Sequence, residues 1–141
     1  MKRTILTVLA AVAFVTGCSS AEAEPEPTPW QAYGDQLTDL KGSDCDAMFW
    51  THECGEDAIA QVALITKTLR TLRDAEQTPD VISAVDLGDW LVSDYRRYFD
   101  LNCADADSFL VLNQCANRAV DLSDSFDKFV VAVARTESDA S

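Results

Sequence analysis

Apolar positions in this chain form one unbroken run followed by stretches spaced at threes and fours. Ile5 to Val15 is almost continuously apolar. After a polar, proline-containing interval, Trp30, Tyr33, Leu37 and Leu40 recur at helical spacing and predict a short helix ending near residue 40. Cys45 to Gln77 is helical in composition. Met48, Phe49 and Trp50 form an apolar knot there, and from Glu56 onward Ile59, Val62, Ala63, Ile65, Leu69 and Leu72 lie on one broad face. Thr78-Pro79-Asp80 combines an N-cap, a proline at the first helical position and an acid, which starts a helix expected to run to about Phe99. Val81, Val85, Val92, Tyr95 and Phe99 share its expected inner face, Trp90 and Leu91 flank it, and Gly88 suits a close helix crossing. Leu101 to Asp107 reads as a turn. Phe109, Leu112, Ala116, Ala119, Phe126, Val130 and Val133 then mark a long amphipathic helix to about Arg135. No strand-like alternation appears. Short loops make successive helices antiparallel, so the expected fold class is all-α: a small up-down helical bundle of three long helices plus a short N-terminal helix.

Charge follows the helix pattern. Glu56 and Asp57 stand at the positive end of their helix, Lys67, Arg70 and Arg73 near its negative end, and Arg96 and Arg97 in the last turn of the next. These cations therefore complement helix dipoles and are not read as an anion site. The whole chain of 141 residues carries a formal net charge of −13. So acidic a surface is repelled by phosphate backbones, which argues against nucleic acid as a partner.

The N-terminal run changes the picture most. Lys2 and Arg3 precede Ile5 to Val15, a run about half the length needed to cross ~30 Å of hydrocarbon. A basic start and a short apolar run form an export signal, not a membrane span. It ends in Val15-Thr16-Gly17-Cys18. These four residues resemble the lipobox of bacterial lipoproteins at every position: an aliphatic residue, a small or β-branched one, Gly or Ala, then Cys. The resemblance is confined to residues 1–18. It implies that the Cys18 thiol accepts a diacylglyceryl group and that Cys18 becomes the first residue of the mature chain. Two or more acyl chains, at ~0.8 kcal/mol per buried methylene, give stable anchoring. The expected organisation is then residues 1–17 as signal peptide, 18–29 as a lipidated Pro/Glu-rich tether, 30–135 as the helical domain and 136–141 as a disordered polar tail. Pro25, Pro27 and Pro29 favour an extended tether. The expected location is the cell membrane, lipid-anchored on the extracytoplasmic side. Ser19 after the lipidated cysteine permits sorting to an outer membrane where the host has one.

Setting Cys18 aside leaves Cys45, Cys54, Cys103 and Cys115, an even set that reads as two disulfides in an exported domain. Cα atoms must approach to about 4.4–6.8 Å, whereas nine or twelve residues of straight helix span ~13.5 or ~18 Å. Local pairs, Cys45–Cys54 and Cys103–Cys115, thus require a bend within each segment. Straight helices from Cys45 and Cys103 would instead allow Cys45–Cys103 with Cys54–Cys115, and a folded-back first segment would allow Cys45–Cys115 with Cys54–Cys103. The local pairs are preferred, because each repeats a unit of cysteine, acidic/Ala segment, apolar knot, cysteine and amphipathic helix.

Little else carries chemistry. His52-Glu53-Cys54 lacks the second histidine of a zinc-protease helix, since position 56 is Glu56. Asp44/Asp46 and Asp105/Asp107 stand at helix starts, where capping explains them, and no calcium loop surrounds either pair. There is no C-x-x-C, no G-x-S-x-G elbow and no phosphate-cradling glycine loop. No catalytic residues, metal ligands or cofactor are expected. The expectation is a non-enzymatic lipoprotein whose domain binds or shields another envelope component, with small-molecule or metal-ion binding as the alternative. The expected partners are the membrane, through the N-terminal lipid, and an envelope protein or ligand.

Overall fold

A computed structural model describes residues 26–41, 52–103 and 109–137, with backbone only at 52–54 and 109–112. It contains four helices: α1 (Pro29–Asp39), α2 (His52–Asp74), α3 (Pro79–Asp100) and α4 (Phe109–Arg135). Among the described residues there is no strand.

The helix starts follow from local chemistry. Thr28 Oγ1 accepts a hydrogen bond from the Gln31 amide at 3.2 Å, and the Thr28 amide donates to Gln31 Oε1 at 3.1 Å. This reciprocal capping box satisfies two otherwise orphaned donors and places Pro29 at the first helical position, where its missing N–H costs nothing. α1 therefore begins inside the stretch read as tether, and Pro29 belongs to the domain. α3 starts as its sequence indicates: Thr78 Oγ1 accepts from the Val81 amide at 3.3 Å, followed by Pro79 and Asp80. Past the C-terminus of α3, Asn102 takes a φ of 57°, a left-handed conformation that asparagine tolerates better than most residues.

The starts of α1 and α3 and the ends of α2 and α4 converge at one end of the molecule, where Pro29, Thr78, Ala75 and Thr136 border one cavity. Successive helices are therefore antiparallel. α3 packs against α2 and α4, and α1 lies against the same two helices.

The buried stripes alternate spacings of three and four. In α3 they are Val81, Ala84, Gly88, Leu91, Tyr95 and Tyr98, and in α4 Cys115, Ala119, Leu122, Phe126, Phe129 and Val133. In α2 the stripe is Ala58, Gln61, Ile65, Thr68 and Leu72, flanked by Leu64 and Leu69. Such spacing lets side chains of one helix seat between those of the next. Gly88 is the close crossing. A Cβ there would lie 2.7 Å from Leu69 Cδ2 and 2.8 Å from Phe129 Cε2, so α2 and α4 both press against it.

Two faces are rotated from expectation. Ile59, expected inside, is 55% exposed, and Ala63 is also exposed. Val85, Val92 and Phe99 are only partly buried, while Leu91 is fully buried and Trp90 is half exposed. In α2 the cause is two polar residues on the inner line. Thr68 Oγ1 donates to the Leu64 carbonyl within its own helix at 3.0 Å, so its burial leaves no hydroxyl unsatisfied. Gln61 receives the hydroxyl hydrogen bond of the buried Tyr95, and its Nε2 donates at 3.2 Å to the carbonyl of Leu40, the residue that caps the end of α1. One amide thus joins α1, α2 and α3. The C-terminal tail also differs from expectation. Thr136 is buried, with its hydroxyl on the Val133 carbonyl at 2.7 Å, and Glu137 Oε1 accepts from Gln31 Nε2 of α1 at 3.0 Å. The chain is ordered against α1 to at least residue 137, and residues 138–141 lie outside the description.

Tyr95→Phe tests the Gln61 junction. Removing the hydroxyl leaves a buried amide oxygen without its donor, an expected loss of ~1–3 kcal/mol in urea unfolding at neutral pH. Burial, with the nearby Tyr98 and Asp57 adding to it, pushes the Tyr95 phenol well above its ordinary value of 10.0. The unfolded chain therefore releases this proton first as pH rises above about 10, and folding stability falls from there upward. Burial raises the Tyr98 phenol in the same direction. The Phe variant should show a shallower alkaline loss than wild type; equal slopes above pH 10 would refute this account of Tyr95.

Cys103 and Cys115 form a disulfide with Cα atoms 5.3 Å apart, both fully buried. The bend it needs comes from Cys103 lying in the turn beyond α3, so the chain reverses before Cys115 in α4. This bond removes both alternative pairings, because each requires Cys103 or Cys115 to bond elsewhere. Cys45 and the side chain of Cys54 lie outside the described residues, and one disulfide is what the structure shows.

Candidate functional site

The convergence of four helix ends leaves a half-open cavity of about 500 Å³. One wall is Glu26 to Pro29, the segment that leads back toward Cys18. The opposite side is the end of α2, from Thr71 to Glu76, and Val81 of α3 and Thr136 of α4 complete it. α1 contributes Ala32 and the half-buried Tyr33. The position of each wall is set by the caps already described. The Thr28–Gln31 box turns the tether into α1 against α4, and Gln77 Nε2 donates to the Leu72 and Ala75 carbonyls at 3.1 and 2.8 Å, folding the α2–α3 connection.

The cavity has a definite sign. Two helix N-termini and two C-termini meet there, so their dipoles oppose one another and side chains decide. Glu26, Asp74 and Glu76 border it, with no lysine, arginine or histidine among the described lining residues. No ion pair among the described residues engages these three carboxylates. Arg73, next to Asp74 in sequence, turns away and pairs with Asp89 of α3 at 2.5 Å.

The outer seam between α3 and α4 is different in kind. Its two shallow depressions, of about 410 and 490 Å³, share Asp124 and Lys128. Lys128 pairs with Asp124 at 3.1 Å, and Arg118 reaches Asp94 of α3 at 3.1 Å, with Arg97 4.0 Å from the same carboxylate. Asp94 is only 13% exposed, so its pair with Arg118 ties α3 to α4 with less solvent screening than a fully exposed pair has. Lys41, Asp121, Asp127 and Arg135 also line this seam and make no ion pair among the described residues, one oxygen of Asp127 is buried without a hydrogen-bond partner, and Trp90 stands half exposed at the edge.

The lipobox Val15, Thr16, Gly17 and Cys18 lies outside the described residues, as do Asp44, Cys45, Asp46, Asp105, Asp107 and the side chain of His52. Among the described residues no group of three or more His, Cys, Asp or Glu side chains could hold a metal ion. None of the described helices is long and apolar enough to cross a membrane. No protein-family model, curated protein or solved structure matches the chain.

Sequence reasoning did not find the cavity. Its acids are separated by some fifty residues and two helices, and each alone reads as tether or helix-end polarity. The available signal was the acidic Asp74-Ala75-Glu76 connection facing the acidic tether end.

Proposed function

We propose that this chain is a membrane-anchored extracytoplasmic lipoprotein, acylated at Cys18, whose helical domain is a non-enzymatic interaction module of the cell envelope. A second local disulfide, Cys45–Cys54, completes the proposed domain. The observation that carries the reading is Val15-Thr16-Gly17-Cys18 at the end of a basic-then-apolar leader. The structure adds a domain that starts, through the Thr28 cap, only ten residues after Cys18. A spacer of that length in extended form reaches about 30 Å, enough to hold an acidic domain clear of anionic headgroups.

Cross-linking in intact membranes is the test. One envelope protein should co-isolate with this chain and not with an unrelated lipid-anchored domain expressed at the same level. Equal recovery of the same proteins with both baits would overturn the interaction reading. A second reading, small-molecule binding, is favoured by the cavity of about 500 Å³, within the range of ligand pockets.

A further inference from the structure

We infer that the cavity at the tether end of the bundle is a site for a small organic cation, a substituted ammonium carried on an apolar body. The inference rests on the small-molecule reading and specifies its ligand class. Glu26, Asp74 and Glu76 border the cavity without a cationic side chain among its described lining residues and without an ion pair among the described residues. All three are exposed at the rim of the recess, where carboxylates favour a positive occupant. The walls decide which kind. Pro27, Pro29, Ala32, Tyr33 and Val81 supply apolar and aromatic surface, which an inorganic ion cannot use. A volume of about 500 Å³ is also many times that of a metal ion, and a divalent cation wants several oxygens closed around it. An ammonium group at the carboxylate rim with its apolar body on Tyr33 and Val81 satisfies both features, and a tyrosine face adds a modest cation–π attraction. Because Glu26 and Pro27 belong to the segment leading to Cys18, the occupant would sit where the anchor meets the domain. A free amine and the headgroup of an aminophospholipid share this chemistry.

The test uses the full lipidated chain in nanodiscs of phosphatidylglycerol, titrated with benzyltrimethylammonium and, in parallel, benzyl alcohol and benzoate, each against empty discs. The cation should bind saturably at one site and shift the Val81 methyl resonances. Asp74→Asn with Glu76→Gln should weaken it about tenfold, the scale of one lost charge-assisted contact. Asp86→Asn with Asp121→Asn, an equal change of charge outside the cavity, should not. Added phosphatidylethanolamine should compete if the natural occupant is a headgroup and should have no effect if it is a free amine; either result supports the cation site. Equal binding of benzyl alcohol would overturn the cation class while leaving a small-molecule site. Equal weakening by Asp86→Asn with Asp121→Asn would reduce the effect to overall charge and overturn the inference. Saturable binding by none of the three probes would overturn the inference and the small-molecule reading together.

Discussion

Phe129→Ala is expected to cost ~3–5 kcal/mol, as truncation of a fully buried aromatic does when the surrounding helices cannot close the space. A domain of this size has on the order of 5–15 kcal/mol of stability, so the melting temperature should fall by roughly 10–20 °C. The ring edge of Phe129 rests on Gly88 together with Leu69, where α2 and α4 both press on a single backbone site of α3. Gly88→Ala alone should therefore destabilise. Overpacking costs ~1–3 kcal/mol, and the helix propensity of alanine returns only about 1 kcal/mol. In the Phe129→Ala background half of that obstruction is gone, and the same Gly88→Ala change should become less harmful or favourable. Urea denaturation of both single variants and the double variant measures the coupling. Additivity within ~0.5 kcal/mol would show that the two residues do not share the crossing. Gly34→Ala provides the contrast. The atoms nearest its added methyl belong to the ring of the half-buried Trp30, at 2.8 Å, which has more room to give than the buried Leu69 and Phe129.

The same crossing shows why element type was more legible than element rotation. Capping residues act within three or four positions, so Thr78-Pro79-Asp80 and the spacing of Phe126, Val130 and Val133 can be read locally. Rotation is settled between helices. A hydrophobicity pattern places Ile59 inside and Gln61 outside, but Gln61 is drawn inward because Tyr95 and the end of α1 satisfy its amide. Thr68 goes inside because its own helix accepts its hydroxyl proton. Gly88 counts as neither apolar nor polar in such a pattern, yet its missing side chain brings α3 close enough to bury Leu91 fully while Val85 and Val92 remain at the margin. The disulfide follows the same logic. Spacing alone allowed three pairings, and the reversal beyond Asn102 selects Cys103–Cys115. The cavity was the least legible feature, since no local stretch contains it. It exists because an antiparallel four-helix arrangement brings the tether, the α2–α3 connection and the end of α4 to one place.

Cys18→Ala should abolish incorporation of labelled palmitate and leave the leader attached to the chain. Alanine has no thiol to accept a diacylglyceryl group, and processing of a lipobox follows that modification. Folding should be untouched, because among the described residues the capping contacts begin at Thr28 and the core lies beyond it. Circular dichroism and melting temperature should therefore match wild type, which separates loss of anchoring from loss of fold. Membrane fractionation alone is a poor readout. An uncleaved leader keeps Lys2, Arg3 and the apolar run from Ile5 to Val15, which can hold a precursor at the bilayer surface without any acyl chain. Mass spectrometry of the N-terminal peptide distinguishes the cases: wild type should begin at a lipidated Cys18, and the variant at the intact leader. A variant that is labelled and matured like wild type would sink the lipoprotein assignment. It would leave Val15-Thr16-Gly17-Cys18 as the end of an ordinary export signal, with the acyl chain attached elsewhere than at Cys18.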